Sequence, residues 1–94
     1  MEKSELRIEE KEYGFRIIID GKSYFIKNDE KQGWFKLITE NENGEIIDVT
    51  VDKFENIGAR DLQDLILRLM AYPNETLEML LGEKKDVGSI VIKF

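Results

Sequence analysis

The chain has 94 residues and a formal charge of −6, and it contains neither cysteine nor histidine. Those totals exclude a disulfide framework, a thiolate metal site, and any nucleophile activated by an imidazole. With 41% apolar and 36% charged residues and nine aromatics, the composition is that of one folded domain over residues 1–94, not a disordered tail.

Alternation dominates the first half. Leu6 and Ile8 alternate with Glu5, Arg7 and Glu9, the mark of a half-buried strand. Tyr13, Phe15, Ile17 and Ile19 predict a second strand, and Asp20-Gly21 predicts a two-residue hairpin turn after it. That turn sets Ile19 opposite Lys22, Ile17 opposite Tyr24 and Phe15 opposite Ile26, so turn and pattern agree on one register. A polar loop from Asn28 to Gly33 leads to a fourth strand over Trp34 to Glu40. Asn43-Gly44 then signals a turn into a fifth strand over Glu45 to Val51. A two-residue turn pairs Ile38 with Val49 and Trp34 with Lys53, but it opposes Glu42 to Glu45. A longer loop over Asn41 to Glu45 relieves that repulsion.

After Phe54 the period changes from two to between three and four. Leu62, Leu65, Ile66, Leu69 and Met70 predict an amphipathic helix starting near Ile57–Ala59, with Asn56 as its cap and Pro73 as its limit. Asn74 is placed to cap a second helix that ends at Gly82, and Val87 to Phe94 alternates as a last strand. The fold class is therefore α+β: an antiparallel sheet of about five to six strands with two helices packed on one face, in the order β-β-β-β-β-α-α-β. The first and last strands are the candidate sheet edges. Trp34, Tyr72 and Phe94 are expected in the core rather than at an interface.

Catalytic groups are scarce. Three serines have no histidine beside them, and Gly21-Lys22-Ser23 lacks the upstream glycine and helix of a phosphate-binding loop. The carboxylates fall at turns, helix starts and polar strand positions, where water keeps them from acting as an acid–base pair. Around Asn43-Gly44 the first and last ligand positions of a calcium loop would be Thr39 and Thr50, neither a carboxylate. The sequence reads as a non-enzymatic protein with no cofactor and no metal.

All the net charge lies in residues 37–67, where Glu40, Glu42, Glu45, Asp48, Asp52, Glu55, Asp61 and Asp64 face only Lys53 and Arg60. Glu40, Glu42, Glu45, Asp48, Asp52 and Glu55 are the candidate partner-binding residues. Same-face carboxylates about 6.7 Å apart on a strand roughly imitate a nucleic-acid backbone. The expectation is a small acidic inhibitor or regulator that occupies a basic, nucleic-acid-binding surface of a partner protein, as phage inhibitors of restriction and CRISPR nucleases do. Direct nucleic-acid binding and membrane contact are not expected, because such a field repels both. The alternative is a homo-oligomeric structural or accessory module that assembles through sheet edges, starting from a homodimer. Lack of cysteine and of a targeting segment points to the cytoplasm.

Overall fold

A computed structural model describes residues 3–94. Its strands are β1 (Ser4–Lys11), β2 (Gly14–Ile19), β3 (Lys22–Asn28), β4 (Trp34–Glu40), β5 (Ile46–Lys53) and β6 (Val87–Lys93). Between β5 and β6 come a 3-10 turn (Phe54–Ile57) and the helices α1 (Leu62–Ala71) and α2 (Pro73–Leu81). The strands form one sheet in the order β5-β4-β3-β2-β1-β6. Every pair is antiparallel except β1 with β6, which runs parallel. The mainly antiparallel α+β expectation therefore holds, with one parallel pair added. That pair places β1 inside the sheet, so the edge strands are β5 and β6 and not β1.

The hydrophobic core lies between the sheet and the helices. Leu6 and Ile8 of β1, Ile17 and Ile19 of β2, Tyr24 and Ile26 of β3, and Phe35 and Leu37 of β4 all point to that side. They meet Leu65, Ile66 and Leu69 of α1 and Leu77 of α2, with Phe54, Ile57 and Ala59 closing one end. The Phe35 and Phe54 rings stand 5.2 Å apart in a tilted contact, a geometry aromatic pairs favour.

Local chemistry explains where the predicted boundaries hold and where they move. The β2–β3 register is the expected one, with Ile19 on Lys22, Ile17 on Tyr24 and Phe15 on Ile26. Asp20 and Gly21 both take positive φ, 51° and 76°, as a two-residue hairpin turn of this kind requires. Tyr13 does not join this strand; it lies in the preceding turn and is 75% exposed. Gly14 is there for closeness, since a Cβ on it would lie 2.2 Å from the Ile26 carbonyl oxygen. The β4–β5 hairpin keeps the predicted pairing of Ile38 with Val49 and Trp34 with Lys53. Its tip is the longer loop: Asn41 accepts the Asn43 and Glu45 N–H groups on its side chain, and a bulge at Thr39/Glu40 sets Glu40 opposite Ile46.

The helix caps differ from the prediction. Asn56 does not start α1, because Phe54 and Ile57 are both drawn into the core by a 3-10 turn that Gly58 ends at φ 72°. Asp61 is the cap and accepts the Asp64 N–H at 2.8 Å. Pro73 opens α2, and Asn74 accepts the Val87 N–H at 2.8 Å, joining the helix to β6. Tyr72 and Phe94 are 62% and 91% exposed, so neither belongs to the core.

Candidate functional site

The register sorts the six candidate carboxylates onto different surfaces. Asp48 and Asp52 pair with Thr39 and Phe35, so they face the helix side of the sheet. Glu40 pairs with Ser23 and faces the opposite, uncovered side. There the Arg16 guanidinium lies 3.7 Å from it. Asp52 accepts from Asn56 Nδ2 at 2.7 Å and from the Lys53 N–H at 2.8 Å, and Asp48 accepts from the Thr50 hydroxyl at 3.3 Å. Glu42 and Glu45 are at the hairpin tip, and Glu55 is in the 3-10 turn. The structure brings Asp48 and Asp52 to one face, turns Glu40 away from them, and forms no single ridge from the six.

Among the described residues no helix covers the other face of the sheet, and its charge is opposite to that of the whole protein. Strand register places Arg7, Lys11, Arg16, Lys27, Lys36, Lys53 and Lys93 on it against Glu5, Glu9 and Glu40. Seven cations against three carboxylates leave a surplus of four positive charges, so the remainder of this −6 chain carries −10. The three acids already have cations near them: Glu5 by Arg7 at 3.9 Å, Glu9 by Lys11 at 3.4 Å, and Glu40 by Arg16. Down the middle of this face a row of neighbours, Arg16, Phe25, Ile38 and Val49, crosses four strands. Arg16 lies 6.0 Å from the Phe25 ring centre, and Lys31 and Lys53 flank the Trp34 ring at 4.9 and 5.4 Å.

Strand β5 inverts the pattern of the other long strands. Its polar residues Asp48, Thr50 and Asp52 take the helix side, while Val49 and Val51 take the uncovered side. It contributes no buried side chain, and Ile46, Ile47, Val49 and Val51 are 62%, 56%, 50% and 44% exposed. Among the described residues its outer backbone groups have no neighbouring strand. The inversion was available in the sequence, since the predicted pairing of Ile38 with Val49 already opposes the valines to the face away from Phe35 and Leu37. The missing signal was which strand would end the sheet.

Titratable groups cluster elsewhere, near the start of β6. The Ser4 hydroxyl donates to Asp20 and holds its carboxyl below the usual range against the opposing effect of burial, with Lys85 3.3 Å away adding to the fall. Burial pushes the Lys85 ammonium down, but hydrogen bonds to Glu83 and Asp20 raise it overall. Burial also raises the Tyr24 phenol. These contacts tie the β2–β3 turn to the segment that enters β6. Among the described residues no three acidic side chains converge so as to hold a metal ion, and no helix is long and apolar enough to cross a membrane. No family model, curated protein or solved structure matches the chain.

Proposed function

We propose that this chain is a non-enzymatic binding protein that works through the β5 edge, as an assembly or accessory module whose outer strand pairs with a strand of its partner. The observation that carries this reading is the exposure of Ile46, Ile47, Val49 and Val51 along eight residues of unpaired edge. Natural proteins ordinarily blunt such an edge with charge, proline or a covering element, because it is a template for strand addition. On β5 the bulge and Lys53 stand at the two ends, and the charged residues within it, Asp48 and Asp52, face the helix side and leave the aliphatic face unguarded.

The acidic-regulator reading needs Glu40, Glu42, Glu45, Asp48, Asp52 and Glu55 to meet one basic surface. The division of Glu40 from Asp48 and Asp52 leaves it less support than the edge. Affinity capture from the native cell separates the two readings. Val49→Lys with Val51→Lys is expected to lose the captured partner, copies of this chain included. Reversing Glu42 and Glu55, which lie off β5, to lysine is expected to retain it. The opposite pair of results overturns the edge reading in favour of the acidic one.

A further inference from the structure

We infer that the strand occupying the β5 edge is β5 of a second copy, paired antiparallel about a two-fold axis through Val49; this rests on the edge reading above. A two-fold axis between antiparallel strands has to pass through a residue. A centre between residues would set side chains of opposite faces against each other. Charge then selects among the possible centres. An axis through Asp48 opposes that carboxylate to its own image, and one through Thr50 opposes Asp48 to Asp52 twice; both are destabilising. An axis through Val51 or Ile47 shortens the overlap and sets valine against lysine or glutamate.

The axis through Val49 avoids all of this. Val49 meets its image, Ile47 meets Val51 on the uncovered face, and Asp48 meets Thr50 on the helix side. The bulge that sets Ile46 opposite Glu40 ends the matched ladder at Ile47, so the joint runs over Ile47 to Val51 of each copy. The row Phe25, Ile38, Val49 would then continue into Val49, Ile38 and Phe25 of the copy, forming one apolar stripe across a joined sheet. A foreign strand would have to match this alternation with no acid opposite Asp48, whereas a second copy supplies it by symmetry.

Because the chain has no cysteine, single replacements report the register directly. Directly opposed Cα atoms on antiparallel strands lie about 4.5–5.5 Å apart, within disulfide reach. In the proposed register two copies of residue 51 are offset by four positions, roughly 13 Å. Val49→Cys is therefore expected to form a covalent dimer under a glutathione redox buffer, and Val51→Cys to stay monomeric. Analytical ultracentrifugation of the unaltered chain over about a hundredfold dilution is expected to show a dimer giving way to monomer. In the same range Val49→Lys, checked for its fold by circular dichroism, is expected to be monomeric throughout. A chain that stays monomeric at every concentration overturns self-pairing. If Val49→Lys with Val51→Lys nevertheless loses its cellular partner, the edge reading stands without self-pairing. Cross-linking of Val51→Cys as readily as Val49→Cys overturns the register, and a dimer that survives Val49→Lys overturns the use of this edge.

Discussion

Both β5 and β6 end the sheet, yet they are finished in different ways. Strand β6 has its lower half packed on the core through Val87 and Ile90, and its first N–H is held by Asn74 of α2. The N–H of Ser4 donates to Asp86 beside it, and Lys85 ties the incoming segment to Asp20. Strand β5 has none of this. It touches β4 and the 3-10 turn, buries no side chain and turns its aliphatic residues away from the helices. Neither edge strand has a fully buried residue, but β6 is anchored at its start by Asn74 and leans Val87 and Ile90 on the core, whereas β5 has no such anchor.

Truncating each side of the molecule should expose the contrast most strongly. Leu6→Ala, beneath the β1–β6 pair and fully buried, is expected to cost about 3 kcal/mol through the cavity it leaves. Val51→Ala in dilute protein is expected to cost less than about 0.5 kcal/mol, because that surface is already wet. Urea denaturation of the two variants checks this, and comparable losses would mean that β5 is covered after all.

A smaller effect comes from the tie between α2 and β6. Asn74→Ala leaves the Val87 N–H without its acceptor and is expected to cost about 1 kcal/mol. Amide exchange should then quicken in β6 while that of the β5 amides stays unchanged. A uniform response across both edges would remove Asn74 as the feature that closes one of them.

The smallest effect expected is a pH dependence. Asp20 has its folded-state pKa lowered by the Ser4 hydroxyl, assisted by Lys85. A lowered carboxyl contributes stability that is present above its unfolded value and is lost as the pH falls through the folded one. Wild type should therefore lose stability relative to Asp20→Asn as the pH drops below about 4, and the two should run parallel at neutral pH. Asparagine also tolerates the positive φ at this turn, so the comparison isolates the charge. A constant difference across the acid range would show that Asp20 does not close the β6 side electrostatically.

Much of the fold was legible because it depends on neighbours in the chain. Asp20-Gly21 set the β2–β3 register, Pro73 ended α1, and the spacing of Leu62, Leu65, Ile66 and Leu69 marked the face that α1 buries. Asn56 failed as a cap because burial of Phe54 and Ile57 outweighed the local preference. The candidate site was less legible. A run of acids in the sequence is a single list, but alternation along β4 and β5 divides it between two faces, and Arg16 from β2 meets only Glu40.

By itself, then, the sequence determined the strands, the helices, the hairpin registers and the net charge, all of which follow from residues close together along the chain. Only the tertiary structure decided that β6 would join β1, leaving β5 as an edge. It also decided that seven strand cations would gather on the uncovered face of an acidic protein. The reason is physical: where a strand sits in a sheet depends on which distant surface the helices cover, and no local pattern carries that information.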